Sequence, residues 1–255
     1  MMRSGNPTLN DKVFDNLVWD PSARMTLQGT VVKSGILLAI VLATASYSWG
    51  LWDATDEDTI RASAAAVQPY WIGGAIGGFI VAMITIFKKS WSPVTAPIYA
   101  ALEGLFLGAF SVYVQSMFPD VPIVLQAVAL TFGTFFALLG AYTSGLIKPT
   151  ENFKLGVVAA TGGIMMVYVL SFVLGFFGID VPGIHSAGVV GIGFSLFVVV
   201  IAALNLVLDF DFIENASENG APKYMEWYGA FGLLVTLIWL YIEFLRLLMK
   251  LNSRK

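Results

Sequence analysis

Residues 96–114 read APIYAALEGLFLGAFSVYV, and this stretch decides the fold. As a helix rising about 1.5 Å per residue it is long enough to cross the hydrocarbon core of a bilayer. Its only charged residue is Glu103. A charge at mid-depth costs on the order of 3 kcal/mol on insertion scales, so an acid kept there is a functional-site candidate by default. Two further apolar stretches carry acids: FSLFVVVIAALNLVLDF (194–210) holds Asp209, and LLVTLIWLYIEFLRLLMKL (233–251) holds Glu243. Intramembrane acids suit three tasks: binding a cation, carrying a proton, or acting as a pH-sensitive latch.

The whole chain resembles these stretches. It is 57% hydrophobic and 12% charged, with a mean hydropathy of +0.78, where a soluble domain carries about 25% charged residues. Such a chain cannot cover a globule with polar groups, so it is expected to be an all-α polytopic membrane protein. Its 255 residues accommodate about six to eight spans of roughly 20 residues, with no room for a separate soluble enzyme domain. The net charge of −3 suggests no nucleic-acid partner. The absence of cysteine excludes disulfides, thiolate metal sites and cysteine catalysis. No zincin, phosphate-loop or triad pattern is visible, so neither an enzyme nor a cofactor is expected.

Seven spans follow from apolar runs bounded by charged, Pro or Gly breaks: about 31–52, 71–87, 93–117, 122–142, 155–178, 187–210 and 227–248. The segment DATDEDTIRASAAAVQP (53–69) reads as an acidic loop. Residues 1–29 form a polar N-terminal segment without the apolar core of a signal peptide, 30–250 the transmembrane domain, and 251–255 a basic tail. Small residues in GGAIGGF and GVVGIGFS allow close helix approach. Arg3, Lys12, Arg24, Lys33, Lys88, Lys89, Lys148 and Lys154 fall on one side of a seven-span topology, which predicts a cytoplasmic N-terminus. The tail, with Lys250, Arg254 and Lys255, conflicts with this rule: either the last span does not cross fully or the early spans dominate.

Glu103 is expected near mid-membrane, with Gly104 leaving space beside it. Asp209, Asp211, Glu214 and Glu226 make an acidic cluster at the inner mouth, which also fits a solvated helix end. Glu243 lies nearer the outer side, three positions before Arg246, so the two share a helix face; a local ion pair is the alternative to a functional acid. Lys88 and Lys89 read first as interfacial anchors, and His185 sits in a turn.

The segments SPVTAPIYAALEGLFLGAFS (92–111), NLVLDFDFIENASENG (205–220) and LYIEFLRLL (240–248), in this order and in a seven-span setting, resemble a bacterial member of the Bax-inhibitor family, the transmembrane Bax-inhibitor-motif proteins. The resemblance runs from RMTLQGTVVKSG (24–35) to the C-terminus. It implies a seven-helix bundle with a central helix near the C-terminus, and a pH-sensitive calcium leak. It also implies a latch of two acids on the last two helices, bridged by a basic residue after the second. Two carboxylates in one low-dielectric site do not both ionise cheaply. Asp209 matches the first acid and Lys88 or Lys89 the basic residue. The second acid falls at Glu243 in one register and near Thr236 in the other.

The function expected is a calcium leak channel in the membrane, the plasma membrane if the protein is bacterial, gated by protonation. Asp209, Glu243, Lys88 and Arg246 would gate; Glu103, Asp211 and Glu226 would line the ion path, and Asp209 and Glu103 would meet calcium as the permeant ion. The partners are then the lipid bilayer, calcium and protons. A non-conducting regulator that binds a membrane protease or another membrane protein through the N-terminal segment is the alternative reading, and a proton-coupled transporter a weaker one.

Overall fold

The computed structural model describes residues 24–178, 184 and 186–253. Seven helices follow one another: α1 (Leu27–Trp49), α2 (Glu57–Phe87), α3 (Ser92–Met117), α4 (Ile123–Thr143), α5 (Glu151–Phe176), α6 (Val189–Glu218) and α7 (Met225–Asn252). All seven are long and apolar enough to cross a membrane, so the chain is a multi-pass integral membrane protein built as an all-α bundle. A single 3-10 turn, Lys89–Trp91, joins α2 to α3. His185, Arg3, Lys12, Arg254 and Lys255 lie outside the described residues.

Helix ends differ from the hydropathy spans where capping, not apolarity, sets them. Residues 57–69, expected in a loop, are helical. Asp56 accepts from Thr59 N while Thr59 Oγ1 accepts from Asp56 N, a capping box that starts α2. These bonds hold the Asp56 carboxyl below its ordinary value of 3.8. Pro69 is carried inside α2 at the cost of one backbone bond. α6 runs eight residues past the expected end at 210, to Glu218, and closes on Gly220 at φ 66°, a left-handed geometry that glycine adopts without strain. α1 begins at Leu27, capped by Thr26, and α7 reaches Asn252, so both extend beyond the 30–250 boundaries expected.

Two helices form the axis. In α3 and α7, 56% of the apolar window is buried, against 11–22% in α1, α2, α4 and α5. Ser111 of α3 and Tyr241 of α7 join their hydroxyls at 2.6 Å between the two. Around this axis, α1 packs on α3 and α7, α4 on α7 and α6, α2 almost wholly on α3, and α5 on α6. The close α1–α3 approach depends on Gly104, where a Cβ would lie 1.9 Å from Thr44 Oγ1 and 2.5 Å from the Val41 carbonyl. The small residues of α2 serve the same purpose against α3, as at Gly74 beside the Leu102 carbonyl.

α7 traverses the whole bundle. Its first turn meets the start of α1 through Glu226, and its last meets the start of α6 through Lys250. The last helix therefore runs the full length of the bundle. Lys250 is a buried internal group, not a free tail charge: its ammonium donates to Ile184 O, Gly191 O and Ser195 Oγ at 2.6, 3.0 and 2.8 Å. We call the end carrying the start of α1 proximal and the opposite end distal.

Candidate functional site

The predicted acids separate into three environments. Glu103 and Asp209 line one cavity, Glu243 and Arg246 form a second cluster, and Asp211, Glu214 and Glu226 are engaged by neighbours at the proximal end.

Glu103 and Asp209 line one cavity of about 720 Å³ between α2, α3, α6 and α7. Glu103 lies in the middle of α3, 9% exposed, and makes no hydrogen bond among the described residues. Its carboxylate rests against α2 at Gly78, where a Cβ would stand 2.5 Å from Oε1; glycine at 78 leaves the room that this acid occupies. Asp209 enters from α6, and the helix continuing to Glu218 puts it about two turns from the helix end, deeper than a span ending at 210 implies. Its Oδ2 is fully buried without a hydrogen-bond partner, and its side chain faces the Thr236 hydroxyl of α7, which itself bonds Gly232 O at 3.3 Å. The remaining wall is aromatic and aliphatic: Phe79, Tyr99, Phe106, Phe212, Tyr228, Phe231 and Trp239 supply rings, and no Lys, Arg or His lines it. The cavity opens between α2 and α6, where Phe79 and Phe212 are exposed.

Glu243 does not meet Asp209. Thr236, the second of the two registers, is the α7 residue that faces Asp209, and Glu243 lies about 10 Å further along the same helix. Glu243 is 1% exposed and accepts from Arg246 Nη1 at 2.8 Å, Tyr168 Oη at 3.2 Å and Trp239 Nε1 at 3.3 Å. The local partnership with Arg246 is thus formed and is joined by α5 through Tyr168, whose ring lies under the guanidinium at 4.8 Å. Trp239 belongs to both places: it lines the acid cavity and donates to Glu243.

The proximal acids are paired. Asp211 lies about 200° around α6 from Asp209 and so faces α5, where Lys154 meets it at 2.8 Å. Glu214 accepts from the Tyr142 hydroxyl of α4. Glu226 is fully buried and accepts from Thr26 N, Thr26 Oγ1, Lys33 Nζ and Lys223 Nζ at 2.9, 2.9, 2.5 and 2.9 Å. With Met25 N donating to Ala221 O at 2.7 Å, it fastens the start of α1 to the α6–α7 turn. Neither Asp211 nor Glu226 lines the cavity, contrary to their expected place on an ion path. Lys88 is exposed at the end of α2 and does not line the cavity, while Lys89 Nζ stands 5.3 Å from the Tyr228 ring.

Sequence reasoning missed Tyr99, Tyr168 and Trp239 as site residues. Tyr168, the one tyrosine of its span, was a readable signal; the two cavity aromatics were not separable from packing residues. Among the described residues, no group of three or more acidic or His side chains is arranged to hold a metal ion.

Neither curated proteins nor solved structures give a match to the chain. The family model described as Bax inhibitor 1 like matches residues 6–253, nearly the whole length. With seven long apolar helices around an α3–α7 axis and a carboxylate in each of the segments 92–111, 205–220 and 240–248, the chain belongs to the Bax inhibitor 1 like family.

Proposed function

We propose that the protein is a proton-sensitive cation leak, with calcium as the permeant ion, whose path runs through the cavity between α2, α3, α6 and α7. The observation that carries this reading is the meeting of Glu103 and Asp209, from different helices, in one cavity without a basic residue. Ionised, the two carboxylates attract a cation into a low-dielectric space; protonation removes that attraction. Thr236 stands where one register placed the second acid. Its hydroxyl can donate to an ionised Asp209 or accept from a protonated one, but it cannot carry the second charge, so Glu103 takes that role. α2 supplies the wall that carries Ala75, Phe79, Ala82 and Ile86. Glu243 and Arg246 shape the distal side through Trp239. The proximal end, which holds Lys33, Lys88, Lys89, Lys154 and Lys223, faces the cytoplasm in this reading.

The test is calcium entry into proteoliposomes across a pH series. Wild type is expected to pass calcium in a pH-dependent manner, and Glu103→Gln with Asp209→Asn to lose both the flux and its pH dependence. A double variant with the wild-type flux and profile overturns the proposal. Wild-type protein that passes no calcium at any pH gives way to the non-conducting regulator.

A further inference from the structure

The wall of the cavity is poorly suited to strip water from a hard ion. Calcium takes six to eight oxygen ligands, and here the wall offers two carboxylates and a few hydroxyls among rings and aliphatic chains. A calcium ion crossing this space keeps its water shell. An organic ammonium has the opposite needs: its alkyl groups desolvate cheaply, and its charge is satisfied by a carboxylate and by aromatic faces, as in aromatic cages for quaternary ammonium groups.

We infer that the cavity is a binding site for organic ammonium ions, held by Glu103 and Asp209 and by the faces of the surrounding rings. Three observations support this. The volume, about 720 Å³, lies within the range of small-molecule sites. No basic side chain lines the cavity. Asp209 Oδ2 is buried without a hydrogen-bond partner, so its lone pairs are not spent on the protein. An ammonium enters through the opening between α2 and α6, past Phe79 and Phe212, and an occupant there obstructs smaller cations. The inference rests on the reading of this cavity as the cation site, and it concerns affinity, which is measured without flux.

The probe is radiolabelled tetraethylammonium, bound to full-length protein in dodecyl maltoside micelles, which carry no ammonium headgroup. Saturable binding is expected, unaffected by equal potassium. Glu103→Gln with Asp209→Asn is expected to weaken it at least about tenfold, on the order of the loss of one charge pairing. Phe212→Leu is expected to weaken it about threefold, with Phe212→Tyr restoring it because the ring returns. Binding that is absent, or that survives the double acid variant unchanged, overturns the inference. Micelles supplemented with phosphatidylcholine separate the two sources of such a group: competition identifies a lipid headgroup as the ligand, and undiminished binding a free organic cation. Calcium flux, measured on the same protein variants reconstituted into sealed liposomes, keeps the outcomes distinct. Ammonium binding without a calcium leak defeats the proposed function alone, and a calcium leak without ammonium binding defeats this inference alone.

Discussion

Replacing Glu226 by Gln preserves shape and removes one charge at the point where α1 is fastened to α7. In the wild type, Oε1 accepts from Thr26 N, Thr26 Oγ1 and Lys223, and Oε2 accepts from Lys33 at 2.5 Å. The amide oxygen of Gln can keep the first set, but its Nε2 then confronts the Lys33 ammonium, donor against donor. A hydrogen bond to a charged group contributes roughly 1.5–3 kcal/mol. Both lysines keep partial access to water, 20% and 48% exposed, which discounts the purely coulombic part. The expected loss is about 2–3 kcal/mol in reversible unfolding from mixed dodecyl maltoside and sodium dodecyl sulfate micelles. Hydrogen exchange should locate it, through lost protection at Thr26 and the first turn of α1. A double-mutant cycle with Lys33→Met should give a coupling of about 1–2 kcal/mol. Additivity within about 0.5 kcal/mol would refute the clamp, because two groups that do not interact give no coupling. Because Glu226 lies outside the cavity, the calcium leak per folded molecule should follow the wild type; a collapsed leak with intact protection would return Glu226 to the ion path.

Gly104→Ala should destabilise the bundle by about 1–3 kcal/mol or prevent folding, since its methyl meets the Val41 backbone as well as Thr44; unfolding in the same mixed micelles checks this, and a neutral result would mean that α1 and α3 are further apart. Lys250→Met fits the volume but strips the ammonium from Ile184 O, Gly191 O and Ser195 Oγ, with an expected cost of about 2–4 kcal/mol, softened because the buried charge also leaves; hydrogen exchange at the start of α6 should rise. Asp56 has a depressed carboxyl, so its stabilisation of the α2 N-terminus is complete above 3.8 and is lost as the pH falls through the lower folded-state value. Exchange at Thr59 and Ile60, corrected for intrinsic rate, should therefore increase only in acid, and Asp56→Asn should remove that pH dependence while keeping the cap.

Hydropathy made the seven helices legible because each must present about 20 apolar residues to lipid. It failed at α2, where the polar stretch from Glu57 lowers the average and Pro69 imitates a break, although Asp56 and Thr59 already spelled a cap. It failed again after Asp209: the helix continues to Glu218, and the acids beyond the expected end of the span are paired with neighbouring helices, Asp211 with Lys154 and Glu214 with Tyr142. The site was legible in its membership more than in its pairing. Glu103 was singled out by depth alone. Whether Asp209 meets Glu243 or Thr236 depends on the axial offset of α6 against α7, and no local pattern encodes that offset. The partnership of Lys33 with Glu226 spans 193 positions and leaves no mark on either neighbourhood.

The ties at the two ends of α7 have a mechanical consequence. A one-turn ratchet of this helix, about 5.4 Å, would break the three bonds from Thr26 and Lys33 to Glu226 at one end and the three from Lys250 at the other at the same time. Sliding α7 like a piston is thereby suppressed, and so is rotating it, since either motion misaligns both ends. The bundle has a fixed spindle, and any change of shape has to be borne by the helices that pack on a single neighbour: α2, which follows α3, and α5, which leans on α6.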